Sequence, residues 1–158
     1  MIVDIDGVVA DVRHRLHHLD RRPKNWDAFF AAASADRPHE EGVALVQRLA
    51  KDHEIVFLTG RPRALERETL SWLAEHGLGG HRLLMRPERD FRPAATVKVE
   101  QLAELSRDRH IALVIDDDAA VIAAVDRAGH QTLHATWEAR SEEAQAALTD
   151  AQEVEGRS

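Results

Sequence analysis

The stretch Met1-Ile2-Val3-Asp4-Ile5-Asp6-Gly7 is an apolar run that ends in two acids one residue apart, with a glycine directly after them. Ile2, Val3 and Ile5 are β-branched, so the run reads as a buried strand. Gly7 permits a sharp turn at its end. Side chains alternate between faces only while a strand stays regular, so a bend at its carboxyl end lets Asp4 and Asp6 face one cleft. In open α/β sheets that edge is where ligands bind. Two acids at a strand end, taken alone, are ordinarily just solvated; the rest of the chain sets this pair apart.

Working outward, strands alternate with helices. Glu54-Ile55-Val56-Phe57-Leu58-Thr59-Gly60 is a second buried strand, again closed by a small polar residue and a glycine. A third is expected around Arg82 to Met85, a fourth over Ile111 to Ile115 ending in Asp116-Asp117-Asp118, and a short fifth over His130 to His134. Helices are expected over Trp26 to Ala33 with Asn25 as N-cap, over His39 to Lys51, from Pro62 to a stop at Gly77, over Ala95 to Arg107, and from Asp118 to Gly129. The tail from Ser141 reads as helical. This alternation predicts an α/β, Rossmann-like parallel five-stranded sheet with helices on both faces. Residues 11–38 are too many for an ordinary strand-to-helix loop and are expected to form a small flap over the cleft, within a single domain spanning 1–158.

Composition narrows the possibilities. The 158 residues suffice for one sizeable core, and 44% apolar with 31% charged content fits a globular protein. With no cysteine, thiolate nucleophiles, disulfides and Cys-ligated zinc are excluded. The net charge of −7 argues against wrapping long nucleic acid, but not against capturing one phosphorylated end. No apolar run reaches membrane-spanning length and the first strand leaves no room for a targeting segment, so a cytoplasmic protein with no membrane association and no obligate protein partner is expected.

Asp4/Asp6, Thr59-Gly60-Arg61 and Asp116/Asp117 thus sit at strand ends on one edge of the sheet, and Lys98 sits near the start of a helix after the third strand. In this order they resemble the motifs of the haloacid dehalogenase (HAD) superfamily of phosphotransferases. The resemblance implies Asp4 as nucleophile, Asp6 as general acid and then base, Thr59 as a hydrogen-bond partner of the phosphoryl group, and Lys98 as a charge neutraliser. It also implies Mg2+ held by Asp4, the backbone carbonyl of Asp6, Asp116 and Asp117. Two like charges about 4 Å apart repel by roughly 4 kcal/mol at an effective dielectric of 20, so these carboxylates facing a phosphate call for a divalent ion. An acid two residues after the nucleophile goes with phosphatases in this superfamily, whereas dehalogenases lack it.

A narrower similarity concerns the 3′-phosphatase domain of the polynucleotide kinase/phosphatase family. It is carried by Pro23-Lys24-Asn25-Trp26, Thr69-Leu70-Ser71-Trp72-Leu73, Met85-Arg86, Asp90-Phe91-Arg92 and Val97-Lys98. Two departures stand out: Ala94 and Ala95 occupy positions that are usually acidic, and Asp118 stands where arginine is common. The similarity implies removal of 3′-phosphates from nucleic-acid ends or nucleotides, with Gly60, Arg61, Arg86 and Arg92 binding substrate and Arg13, Arg15 and Lys24 assisting from the flap. The alternatives are a 5′-nucleotidase or small-metabolite phosphatase, and a non-catalytic phosphate-sensing module. Trp26 has two candidate uses, stacking on a base or covering the flap's own core. His14, His17 and His18 share a helical face but read as a solvated basic surface more readily than as a zinc site.

Overall fold

The computed structural model describes residues 1–20, 22–143 and 146. Among the described residues, strands and α-helices follow one another as β1 (Ile2–Val3), β2 (Ala10–Asp11), α1 (Trp26–Ala31), β3 (Arg37–Pro38), α2 (Glu40–Leu49), β4 (Val56–Pro62), α3 (Glu66–Glu75), β5 (Arg82–Arg86), α4 (Ala94–Leu105), β6 (Val114–Asp116), α5 (Ala119–Arg127) and β7 (Thr132–His134). β5, β4, β1, β6 and β7 form one parallel sheet in that order. β2 and β3 pair antiparallel as a separate ribbon.

Side-chain alternation along the strands separates two cores. Val3, Ile5, Phe57 and Ile115 pack on one face with Val46 of α2 and with Trp72 and Leu73 of α3. Ile2, Val56, Leu58 and Val114 pack on the other with Leu102 and Leu105 of α4 and with Val121 and Val125 of α5. Helices therefore cover both faces, as expected for buried parallel strands.

Strand order fixes where the site lies. From β1 the chain moves outward through β4 to β5, then returns to the other side of β1 through β6 and β7. β1 and β6 are thus neighbours whose connections leave in opposite directions, and a crevice opens at their carboxyl ends. The register pairs Ile2 with Val114 and Val3 with Ile115, and the Asp4 amide donates to the Ile115 carbonyl at 2.9 Å. Asp4 and Asp116 thereby come level.

Several boundaries differ from expectation. The fourth sheet strand is Val114–Asp116 and not Ile111–Ile115, because β1 and β7 offer pairing partners only there. Pro62 does not start a helix: a register shift after Leu58 keeps it in β4 opposite Arg86, and α3 begins at Glu66 after a 3₁₀ turn. α1 ends at Ala31 and passes into a 3₁₀ turn, Ala32–Ala35. Asn25 caps α1, its side-chain oxygen accepting from the Ala28 amide at 3.1 Å. Residues 137–143 are helical; beyond them, the helix expected over the tail from Ser141 falls outside the described residues. No helix among the described residues is long and apolar enough to cross a membrane.

Residues 11–38 are framed by the β2/β3 ribbon and hold α1 between two 3₁₀ segments. The segment after β7 braces the base of this excursion. The Trp137 indole donates to the Val8 carbonyl at 2.8 Å, and the Glu138 carboxylate accepts from the Val12 amide at 3.2 Å.

Candidate active site

Four ionisable groups converge at the β1/β6 crevice. Asp4 ends β1, Asp116 ends β6, Asp117 follows it, and Lys98 reaches in from the second turn of α4. Lys98 Nζ lies 3.1 Å from an Asp4 oxygen and 2.6 Å from an Asp116 oxygen. Asp4, Lys98 and Asp116 are all buried. Gly7 is needed for this closeness: it has φ +78°, and a Cβ built there would lie 2.0 Å from Asp117 Oδ2.

The electrostatics of the group are those of an anionic pocket. Burial, and then the Asp116 charge, push Asp4 well above the usual carboxylate range. The same two causes push Asp117 up to about 7. Burial works against the charge on Lys98, but Asp4 and Asp116 outweigh it and hold the ammonium firmly protonated. One cation among three desolvated carboxylates leaves an excess of negative charge that a divalent ion would relieve. Asp4, Asp116 and Asp117 each offer a carboxylate oxygen within 4.8 Å of the others, an all-oxygen set that fits Mg2+.

Beside this group lies a network that no sequence motif announces. Asp36, at the entry to β3, is buried and accepts from Arg15 Nε and Nη2, both at 2.8 Å, and from Arg61 Nη2 at 3.0 Å. Asp6 Oδ1 accepts from the same two guanidiniums, at 2.7 and 3.0 Å from Arg61 and 3.0 Å from Arg15. Arg15 also lies 4.2 Å above the Phe29 ring. Burial raises Asp6, but Arg61 and then Arg15 outweigh that and hold it below the usual carboxylate range. His14 Nε2 sits 2.6 Å from Asp36, and Trp72 Nε1 donates to the Asp36 backbone carbonyl at 2.9 Å.

The structure places the arginines expected to bind substrate within this network and the loops around it. Arg61 and Arg15 are 2% and 0% exposed, so their guanidiniums are committed to Asp6 and Asp36 and not held out to a ligand. Arg13 forks onto Asp11. Arg92 is tied to Asp90 and Glu100. Arg86 donates to the carbonyls of Gly60, Asp90 and Arg92, bracing the loop after β5. Sequence reasoning missed Asp36. The available signal was charge balance, since two arginines buried in one small site require acids beyond Asp6.

Thr59 is buried, and its hydroxyl oxygen accepts from the Arg61 amide at 3.1 Å, which leaves the hydroxyl hydrogen free to donate. Asp118 caps α5 by accepting from the Ala120 amide. Trp26 stacks on Phe30 and meets Phe29 edge-on, so it covers the flap's own aromatic cluster. His14, His17 and His18 belong to neither group of potential metal ligands among the described residues. The second such group, Asp11, His39 and Glu138, lies at the base of the β2/β3 ribbon, where Arg13 occupies Asp11 and His39 meets Glu138 at 3.1 Å.

The sheet order, with acids following β1 and ending β6, is that of the HAD-like fold, and the family match makes the chain a phosphatase of that fold. Within that class, the chain belongs to the family of the polynucleotide kinase PNKP phosphatase domain, whose model matches residues 1–137. Among solved structures, two of a Pnkp1/Rnl/Hen1 complex, one described as an RNA repair complex, superimpose with TM-scores of 0.70 and 0.71 at 21% identity. They cover 84% and 85% of this chain, which spans only 40% and 44% of theirs. A haloacid dehalogenase-like hydrolase from Streptococcus pneumoniae superimposes with a TM-score of 0.58 at 12% identity, covering 84% of this chain and 82% of its own. A comparison with curated protein sequences gives no match.

Proposed function

We propose that this phosphatase removes terminal 3′-phosphates from nucleic-acid ends or 3′-nucleotides, with Mg2+, through a phosphoryl group carried on Asp4. The family match supports the substrate class. The observation that carries the chemistry is the cluster of buried Asp4, Lys98 and Asp116 with half-buried Asp117 at the switch between β1 and β6. On this reading residues 1–158 form one domain, with 11–38 as a flap inserted after the first strand.

In the first half-reaction an Asp4 oxygen bonds to phosphorus as the bond to the leaving oxygen breaks, and Asp6 gives that oxygen its proton. In the second, water attacks the same phosphorus, Asp6 takes its proton, and Asp4 is freed along with inorganic phosphate. All three guanidinium contacts to Asp6 fall on Oδ1, which leaves Oδ2 free; the same contacts favour the ionised carboxylate, so Asp6 is set up as the base of the second half-reaction and must first take up a proton on Oδ2 to act as the acid of the first. Lys98 and the Thr59 hydroxyl meet charge developing on the phosphoryl oxygens. Asp4, Asp116 and Asp117, with the backbone carbonyl of Asp6, would hold Mg2+, which would supply Lewis-acid stabilisation of those same oxygens.

Two measurements test this. Phosphate release should fall to background in excess EDTA and return on addition of Mg2+; full activity in EDTA overturns the metal requirement. In a panel of substrates, 3′-phosphorylated oligonucleotides and 3′-nucleotides should be hydrolysed faster than 5′-nucleotides. Faster hydrolysis of 5′-nucleotides or sugar phosphates removes the 3′-end assignment and leaves the chemistry standing. Ala94 and Ala95 favour that second outcome, because they put apolar side chains packed against the α4 core where acids are usual.

A further inference from the structure

We propose that Phe91 is the stacking platform for the base of the nucleotide whose sugar carries the scissile phosphate, a specificity determinant resting on the nucleotide-end substrate proposed above. Phe91 is 92% exposed, whereas the other exposed large apolar residues, Leu16, Leu70 and Trp26, range from 38% to 48%. Single exposed apolar residues are common and need no explanation on their own. What sets Phe91 apart is the scaffolding of its loop.

Both neighbours of Phe91 are pinned. Arg86 Nη1 donates to the Asp90 carbonyl at 3.0 Å and to the Arg92 carbonyl at 2.7 Å, one on each side of Phe91. The Asp90 carboxylate accepts from the Arg92 amide and guanidinium, and Arg92 continues to Glu100 of α4. A loop so tied fixes the backbone from which the bare ring projects into water. That loop lies on the same edge of the sheet as the site. The loop leaves the carboxyl end of β5 and leads into α4, which carries Lys98, and Arg86 Nε bonds the Gly60 carbonyl next to Thr59 at 3.2 Å.

Every nucleobase offers a π-face, and an aromatic side chain on a backbone already tied in place has only its own two torsions to fix on stacking with one. Trp26 lacks this character because its ring is already stacked on Phe30.

The experiment compares wild type, Phe91→Ala and Phe91→Trp on matched pairs of substrates. One pair is a 3′-phosphorylated oligonucleotide and the same oligonucleotide with an abasic terminal nucleotide; the other is a 5′-nucleotide and ribose 5-phosphate. Phe91→Ala should raise KM for the base-bearing member roughly tenfold with little change in kcat, and leave the base-free member unaffected. Phe91→Trp should restore the wild-type KM. Because the side chain is exposed, thermal midpoints should not change.

An unchanged KM in Phe91→Ala, or an equal rise on both members of a pair, overturns the proposal. If wild type prefers the 5′ pair, the 3′-end assignment falls, and the Phe91 contrast is read on that pair instead.

Discussion

Asp4→Asn is expected to lower kcat for p-nitrophenyl phosphate by on the order of 10⁴-fold or more, down to background, because a carboxamide of the same shape is no nucleophile toward phosphorus. Stability should move the other way or not at all. Asp4 is buried, and its charge is opposed by that burial and by Asp116, so a neutral side chain there removes repulsion. Lys98 keeps its 2.6 Å contact with Asp116. An inactive protein that melts at or above the wild-type temperature is therefore the expected pairing. Turnover equal to wild type would place the nucleophile elsewhere, and a large drop in melting temperature would mean that the Asp4–Lys98 pair holds the fold.

Asp36→Ala should have the largest effect on stability. It leaves two buried guanidiniums with Asp6 as their only remaining carboxylate. Removing one partner of a buried ionic network costs about 3–5 kcal/mol, which in a chain of this size lowers the melting temperature by roughly 10 °C. Activity should fall too, measured below the melting transition, because Arg15 and Arg61 also position Asp6. Asp36→Asn keeps the volume and one side-chain oxygen that can still accept from the guanidiniums, so it should lose less stability than the alanine variant. Melting of Asp36→Ala within a degree or two of wild type would remove the network from any account of the fold.

The two variants divide what the sequence could and could not convey. Asp4, Asp6, Thr59 and Asp116 are legible because each closes an apolar run, and strand order in a parallel sheet brings such ends to one edge. Lys98 is legible from its place near the start of the helix after the third strand. Asp36 is not, because its partners lie 21 and 25 residues away and nothing local marks it as more than a turn acid. For the same reason Arg15 and Arg61 read as arms for an anionic substrate. A sequence displays a cation but not the carboxylate already occupying it. Strand limits were misjudged where pairing decides them: Pro62 looks like the start of a helix, yet its place opposite Arg86 keeps it extended.

The shared guanidiniums also bear on how anything reaches Asp4. Arg15 and Asp36 belong to the excursion over 11–38, whereas Asp6 and Arg61 belong to the sheet, and each guanidinium is bound from both sides. Swinging that excursion aside would pull opposite charges apart in a poorly hydrated place, at a cost comparable to losing the network itself. The excursion therefore acts as a fixed rim and not as a hinged cover. On the function proposed above, a substrate would therefore reach Asp4 past a rim that stays in place.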